Sequence, residues 1–356
     1  MSTEQEKEKV VDTDELRRLV TAIFERCDMG ERDASLLADT LVFADLRGVN
    51  SHGVLRVPEY VKKLKSGGVD SRGRPQVVRD SGACMVIDGG NSMGQIGAHF
   101  AMEKTVERAE ETGIAAAGIR GSNHCGAMAY FAVQALDHDM IGLATTNSLP
   151  TMAPWGGTER ILGINPVAIA IPAGDEFPIV YDAAFSGSSH GKIRIYHQKG
   201  LALPDGWALD EDGRATTDPA AAINGLLMPI GGFKGTGLAM IMGILSSMLS
   251  GASYGTELGN MEEGPKPGQD GHFVAAIKIA AFEDIDLFKS RVDCAIKQIH
   301  ECHLAKGFDR TYAPGEKEYI SQEAHLRDGI PLNAITFADL CQTASKLGIE
   351  TGEFLR

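Results

Sequence analysis

Short apolar runs alternate with helical segments in the middle of the chain, and this alternation constrains the fold more than any other feature of the sequence. Apolar runs of strand length occur at residues 84–88, 114–119, 141–146, 167–171 and 179–182. Segments 96–111 and 127–137 lie among them and have the apolar periodicity of helices. Strands that alternate with helices predict a mixed α/β core.

Both ends of the chain have a helical pattern. Helices are predicted at 14–29 and 33–47, where apolar residues recur on one face. A third is predicted near 51–65, and Pro58 indicates that it begins late, because proline is tolerated only in a first turn. The tail from residue 317 onward is helical again. The two termini are therefore expected to pack together as one lobe.

Composition limits the partners and the compartment. The net charge of −14 argues against nucleic acid as a partner, because nucleic-acid binding needs a basic surface. The apolar stretch from Gly237 to Ala252 is short for a bilayer span and is interrupted by serines, so it is predicted to be a buried core helix. The six cysteines are scattered, and the first nine residues lack an apolar signal region. No membrane partner and a cytoplasmic location are expected.

The segment Ser51-His52-Gly53-Val54-Leu55-Arg56 carries the groups that reduction of an α-keto acid needs. A histidine can protonate a carbonyl oxygen near neutral pH. The planar fork of an arginine matches a substrate carboxylate. The competing interpretation is a polar helix start with Ser51 as its cap and both charged groups solvated.

Two other loops offer binding groups. His124 follows the strand predicted at 114–119, and loops after strands of an open α/β sheet commonly bind ligands. Residues 231–237 combine glycines with Lys234 just before a helix, an arrangement that suits a phosphate. The alternative for 231–237 is a helix-entry turn with a solvated lysine. The glycine fingerprint G-x-G-x-x-G of the usual dinucleotide fold is absent from the sequence.

Two motifs point to other chemistry. Residues 90–94 match G-x-S-x-G, which would make Ser92 the nucleophile of a serine hydrolase, although no oxyanion segment precedes it. His300 and His303 lie three residues apart on a predicted helix, but no further ligands stand nearby. A solvated helix face is the favoured interpretation of that pair, and no metal site is predicted.

Taken in order, the motifs resemble those of the malate/L-lactate dehydrogenase type-2 family, across residues 12 to 350. This family is unrelated to the Rossmann lactate dehydrogenases, and includes ureidoglycolate and sulfolactate dehydrogenases and the piperideine/pyrroline-2-carboxylate reductases. The matching segments are Asn50–Arg56, Gly121–Gly126, Trp155–Gly157, Gly163–Pro166, Asp182, Phe233–Gly235 and Tyr312–Glu316.

The resemblance implies roles for individual residues. Arg56 and Tyr60 would line the substrate site, with Arg56 on the carboxylate. The family supports two proton donors: His52, in a relay with Ser51 and Asp182, or His124. The positions that match dinucleotide contacts are His124, Ser148, Asp182, Ala183, Ala184, Lys234, Gly315 and Glu316.

The resemblance also implies an overall organisation and activity. The expected fold is a non-Rossmann NAD(P)-binding mixed α/β sheet with a flanking helical lobe from both termini, in a homodimer. Residues 12–74 with 317–356 would form the helical lobe. Residues 75–120 with 272–316 would form a substrate and dimer domain, and 121–271 a cofactor domain. We expect hydride transfer between NAD or NADP and a small 2-hydroxy or 2-keto carboxylate, with reduction of cyclic 2-imino acids as the alternative.

This chain departs from the family pattern at two positions. Ile164 stands where the family often has a threonine that can contact substrate. Lys266 aligns with an asparagine of the ureidoglycolate dehydrogenases. Because a site built to pair with a polar substrate group discriminates strongly against others, these changes put ureidoglycolate as substrate in doubt.

Overall fold

The computed structural model describes residues 8–198, 200–259 and 264–355. In these residues the helices are α1 Thr13–Glu25, α2 Glu31–Leu46, α3 Val57–Lys65, α4 Gly94–Thr112, α5 Ala129–Ala132, α6 His190–Gln198, α7 Pro219–Asn224, α8 Phe233–Ser247, α9 Ile285–His300, α10 Glu316–Asp328 and α11 Ala334–Lys346. The strands are β1 Lys9–Val11, β2 Gln76–Ser81, β3 Cys84–Asp88, β4 Ile114–Ser122, β5 Met140–Thr146, β6 Val167–Ile171, β7 Ile179–Ala183, β8 Ala208–Leu209, β9 Ala215–Thr216, β10 Leu226–Leu227, β11 Asp270–Lys278 and β12 Ile330–Leu332.

A seven-stranded mixed sheet forms the centre of the molecule, as the alternating pattern predicted. Its strand order is β2-β3-β4-β11-β5-β6-β7. β3 and β4 are parallel and are connected through α4, whereas the other neighbouring strands of this sheet are antiparallel. β3, β4, β5 and β7 therefore run in one direction. Their carboxyl ends gather at one edge of the sheet, and the loops that carry His124 and Ser148 leave from that edge.

The two termini meet in a helical lobe, also as predicted. β1 pairs antiparallel with β12, so that Lys9 lies opposite Leu332. One apolar cluster joins side chains from both ends, including Leu16, Leu41 and Leu340, all fully buried. Met93 and Ile96, at the start of α4, belong to the same cluster and attach the lobe to the sheet. The exact domain boundaries stay a prediction.

The third helix begins late, as Pro58 indicated. Residues Asn50–His52 and Val54–Arg56 form two 3₁₀ turns, and α3 starts only at Val57, with Pro58 in its first turn. Proline has no N–H to lose from the helix at that position. The segment with the expected substrate groups is thus a pair of tight turns wedged between α2 and α3.

The prediction for residues 237–252 is correct in that they contribute to a helix, but wrong in that the helix is buried. The helix, α8, packs one side on the sheet through residues such as Ala239, which is fully buried. The opposite side exposes large apolar groups: Phe233, Leu238, Met240 and Ile241, with Met248 and Leu249 just beyond the helix. Among the described residues, no helix has the length and apolarity needed to cross a membrane.

Three further segments differ in part from what their sequence predicts. The Gly, Pro and Asp content of 198–218 predicts a surface excursion, but the segment contributes β8 and β9 to a small three-stranded sheet with β10. The apolar pattern of 287–306 predicts a helix, but α9 ends at His300. The Gly, Pro and Glu content of 260–271 predicts a flexible loop; it lies partly outside the described residues, and its last two residues belong to β11.

Candidate active site

The Asp45 side chain anchors the turns that carry Ser51, His52 and Arg56. Asp45 is 1% exposed, and its carboxylate accepts a 2.7 Å hydrogen bond from the Val54 N–H. A Cβ on Gly53 would overlap this carboxylate. Burial raises the pKa of Asp45 to about 7, against the opposing effect of the Val54 hydrogen bond. The sequence therefore needs glycine at 53 because the backbone there passes directly over a buried carboxyl group.

Replacement of Gly53 with alanine should damage both stability and activity. The added methyl group cannot be accommodated without moving Asp45 or the turns, and overpacking of this kind costs about 1–3 kcal/mol. Thermal unfolding should begin at lower temperature, and turnover should fall because Ser51, His52 and Arg56 move together. Gly352→Ala, which adds the same methyl group in open space, is the control. Wild-type stability of Gly53→Ala would contradict this account.

Arg56 is held in a defined orientation. Its Nε donates to the backbone oxygen of Ser51 at 2.9 Å, and one terminal nitrogen pairs with the Glu59 carboxylate at 2.7 Å. Both partners of this ion pair are partly exposed, with side-chain exposures of 31% and 24%. The competing prediction of a solvated helix start therefore does not describe Arg56, because the guanidinium is fixed beside the histidines.

The two candidate histidines lie face to face. The rings of His52 and His124 are nearly parallel, with centroids 5.8 Å apart. Ser51 Oγ is hydrogen-bonded to His52 Nδ1 at 2.9 Å, and Tyr60 Oη to His124 Nδ1 at 2.7 Å. The fold thus brings the segment that carries Ser51, His52 and Arg56 together with Tyr60 on α3 and with His124 from the loop after β4.

The environment keeps both imidazoles neutral. Burial, and then the positive charge of Arg56, lower the pKa of His52 to about 4. The same two causes lower the pKa of His124 well below its ordinary value, and His52 adds to the effect. Burial raises the pKa of the Tyr60 hydroxyl. At neutral pH the protein alone therefore presents Arg56 as the positive charge among three uncharged rings.

A cleft of about 360 Å³ opens beside His52. Ser51, His52, Asp182, Ala183, Ala184 and Gly315 are among its lining residues. The other walls include Ile164, Pro166 and Val180, which are apolar, and residues 126–129. Ser51 and His52 thus share one cavity with the cofactor-site candidates Asp182, Ala183, Ala184 and Gly315, whereas Arg56, Tyr60 and His124 are not among its lining residues. The cavity lies at the edge of the sheet where the carboxyl ends of the parallel-running strands gather.

Asp182 lies in this cleft, but no hydrogen bond joins it to a histidine among the described residues. Its Oδ2 accepts a 2.8 Å hydrogen bond from the Ala129 N–H. The carboxyl group keeps solvent contact inside the cleft, yet the surrounding protein atoms raise its pKa to about 6, against the Ala129 bond and the charge of Arg47. In the described part of the chain no hydrogen bond joins Asp182 to His52. The Ser51–His52 half of the expected relay is therefore formed, and the Asp182 half is not.

Two residues near the site carried no sequence signal. Arg47, at the end of α2, is 7% exposed and faces the cleft, where its charge acts on Asp182. His272, on β11, is fully buried and its ring nitrogens bond Thr146 and Ser122, each at 2.8 Å. Neither belongs to a recognisable motif, because strand pairing and helix packing alone bring them to the site.

The expected cofactor positions lie in different environments. The Ser148 N–H donates to Asn165 Oδ1 at 2.9 Å, and Asn165 stands in the sequence between the cleft-lining residues Ile164 and Pro166. Lys234 is exposed at the start of α8 and does not line the cleft. Gly315 lines it with φ of 84°, and a Cβ there would overlap the Val180 backbone.

The environment of Glu316 is different. It is 3% exposed, and its carboxylate is held by His300 at 2.8 Å, by Arg310 and by the Ala313 N–H at 2.9 Å. This network occupies the carboxylate with protein groups. His300 is consequently a hydrogen-bond partner of Glu316, which corrects the prediction of a solvated helix face for this residue, whereas His303 is exposed.

Neither competing chemistry gains support from the structure. Ser92 is 2% exposed and its hydroxyl donates to the Met93 backbone oxygen at 3.2 Å, so it is not poised as a nucleophile. Among the described residues, no group of three or more His, Cys, Asp or Glu side chains could hold a metal ion.

Comparison with known proteins identifies the family. Residues 11–341 match the model of the malate/L-lactate dehydrogenase family. The chain is 37% identical to a malate dehydrogenase of Pyrococcus horikoshii over 348 residues, which cover 96% of each chain. It is 32% identical to a pyrroline-2-carboxylate/piperideine-2-carboxylate reductase of Pseudomonas putida, over 94% of this chain and 96% of that one.

A solved structure agrees with this match. The sulfolactate dehydrogenase of Methanocaldococcus jannaschii superposes with a TM-score of 0.92 at 33% identity, over 97% of this chain and 99% of the other. The similarity therefore extends over the sheet, the helical lobe and the loops that carry the site. The chain is an oxidoreductase and belongs to the malate/L-lactate dehydrogenase family.

Proposed function

We propose that the protein catalyses reversible hydride transfer between a nicotinamide cofactor and the α-carbon of a small 2-hydroxy or 2-keto carboxylate. The observation that carries this proposal is the grouping of Arg56 with two neutral histidines beside a cleft. Arg56 supplies the positive charge and planar geometry that bind a carboxylate. An imidazole next to it supplies the proton that the carbonyl oxygen takes during reduction.

The cleft suits the nicotinamide half of a dinucleotide. Its walls of Ile164, Pro166 and Val180 match a flat ring, and the glycine at 315 allows its loop to lie directly against the Val180 backbone in that wall. Ser148, Asp182, Ala183 and Ala184 would hold the ring and its ribose. When bound, NAD(P)H supplies the hydride. Lys234, with the uncapped N–H groups at the start of α8, would hold phosphate outside the cleft.

His124 is the better candidate for the proton donor. Its Nδ1 is anchored by Tyr60, whereas Nε2 has no protein partner in the described residues. A general acid needs one nitrogen oriented by the protein and the other directed at the substrate. His52 lies in stacking contact and bonds Ser51, which suits a residue that shapes the substrate side of the site.

The substrate class is testable directly. Titration with NADH and NADPH, followed by fluorescence, should show binding of at least one of them. Steady-state rates with a panel of 2-keto acids should then show turnover, and parallel assays with cyclic 2-imino carboxylates test the alternative, which the Pseudomonas putida reductase supports. Cofactor binding with no turnover on either group would refute the proposed activity.

We also propose that the protein is a homodimer formed through the exposed apolar face of α8, which lies in the expected cofactor domain and not in the expected dimer domain of residues 75–120 with 272–316. Monomeric proteins rarely leave a contiguous face of this kind in water. Ile241→Asp should therefore shift the mass measured by light scattering from two chains to one. Ile335→Asp, on the helical lobe and 68% exposed, provides the control. A wild-type monomer, or a dimer unaffected by Ile241→Asp, would contradict this interface.

A cytoplasmic location fits the thiol content. All six cysteines lie in the described residues and are free, and Cys84, Cys294 and Cys302 are exposed. Exposed free thiols persist best in a reducing compartment. Thiol labelling of fractionated cells would test this location.

A further inference from the structure

The side chain of Gln95 forms the far end of a hydrogen-bonded chain that leads to His124. Gln95 lies in the first turn of α4 and is fully buried, as is Tyr60 on α3. Gln95 Nε2 donates to the Tyr60 oxygen at 3.1 Å, and Tyr60 is bonded to His124 Nδ1 at 2.7 Å. This hydrogen-bonded chain thus joins three elements in a buried region: α4, α3 and the loop after β4.

Counting protons along this chain fixes the state of His124. The Tyr60 hydroxyl has one hydrogen, and its oxygen already accepts the Gln95 N–H. Among the described residues, the only other hydrogen-bond partner of that oxygen is His124 Nδ1. The buried Tyr60 hydrogen therefore has an acceptor only when Nδ1 is the unprotonated nitrogen, because a buried hydroxyl without an acceptor is costly. A neutral imidazole then carries its proton on Nε2. That is the nitrogen with no protein partner in the described part of the chain.

We propose that Gln95 is a positioning residue that selects the Nε2–H tautomer of His124 and so prepares the ring as the proton donor for reduction. This inference rests on the proposed function. Without the Gln95 N–H, the Tyr60 hydroxyl could turn away from Nδ1, and the ring could exchange to the opposite tautomer. That tautomer has no proton on Nε2 to give.

The proton transfer balances along the same chain. The substrate carbonyl carbon receives the hydride, and its oxygen takes the proton from His124 Nε2. The Tyr60 hydroxyl proton moves to Nδ1, which keeps the imidazole neutral and leaves the negative charge on the Tyr60 oxygen. Burial opposes that charge most strongly, and the Arg56 charge and the Gln95 N–H offset part of this cost. A solvent proton then restores the hydroxyl group.

Gln95→Met tests the role in turnover, because methionine has a similar length and no polar hydrogen. The kcat of reduction should fall about 100-fold, since the general acid loses its correct tautomer, while KM changes little. Gln95→Glu should act differently: a carboxylate accepts from Tyr60, requires a proton on Nδ1 and raises the pKa of His124. Its rate profile should therefore gain a decline with rising pH.

Nitrogen NMR of histidine-labelled protein reads the tautomer without substrate, with His124→Asn used to assign the signal. Wild-type protein should show a protonated Nε2, and Gln95→Met an averaged signal. Gln134→Glu, which changes a glutamine bonded only to the Tyr130 backbone in the described residues, is the matched control and should leave both readouts unchanged.

The possible outcomes separate the two proposals. If Gln95→Met and Gln95→Glu keep the wild-type histidine signals and pH profile, the inference about Gln95 is wrong. If the signals change as expected but wild-type protein turns over no keto or imino acid, the proposed function fails and the positioning role stands. A loss of thermal stability with wild-type histidine signals would make Gln95 merely structural and would also overturn the inference.

Discussion

Replacement of Arg56 with methionine should raise the KM for a 2-keto carboxylate about 100-fold. This change corresponds to a loss of roughly 3 kcal/mol of substrate binding free energy, which is typical when a charged hydrogen-bonding partner is removed from a buried carboxylate. The value of kcat should change less, because the carboxylate is bound in both the ground state and the transition state. Arg56→Lys should be intermediate, since it keeps the charge but loses the planar fork. Steady-state kinetics over a wide range of substrate concentrations measures kcat and KM for wild type, Arg56→Met and Arg56→Lys.

Three controls isolate this effect. Arg18→Met removes an exposed arginine from α1 and should leave KM unchanged. Glu59→Gln tests whether the carboxylate that loses its partner in Arg56→Met causes the defect. A substrate whose carboxylate is replaced by a neutral amide should react equally poorly with wild type and Arg56→Met. An unchanged KM in Arg56→Met, or an equal loss for the amide, would exclude Arg56 as the carboxylate partner.

Local sequence patterns predicted most of the fold. Strand-length apolar runs became β3 to β7, and Pro58 correctly placed the start of α3, because these features depend on steric and periodic rules within a few residues. The environment of α8 could not be predicted in this way. An apolar sequence does not reveal whether the second face of a helix meets its own chain or another surface.

The functional site was predictable only where residues belong to motifs. Ser51, His52, Arg56 and His124 stand in recognisable segments, and the structure brings them together. Gln95 gave no signal, because its role depends on α4 lying against α3 and not on its sequence neighbours. The position of Glu316 within a motif did not reveal that protein groups already hold its carboxylate. Packing between distant segments decided both cases.

His124→Asn should lower the kcat of reduction about 1,000-fold, within the range that general acid catalysis contributes. Asparagine keeps a polar side chain of similar reach but cannot pass a proton along the Tyr60 chain. His52→Asn should cost less, because its ring contacts His124 without binding Tyr60. Single-turnover rates with saturating cofactor would measure the chemical step in both variants and in wild type.

The pH dependence gives this comparison a second, independent readout. Burial and the charge of Arg56 lower the pKa of His124, so the imidazolium form exists only in acid, below its ordinary titration range. A donor that works as a neutral Nε2–H therefore adds no tenfold-per-unit decline to the wild-type reduction rate between about pH 6 and 8, the range in which the Asp182 and Asp45 carboxyl groups also titrate. If the donor works as an imidazolium, the reduction rate should instead fall about tenfold per pH unit above the pKa of that donor. A steep decline of the wild-type rate with rising pH would contradict donation by a neutral His124. Full activity in His124→Asn would show that another group donates the proton, and His52 is the next candidate.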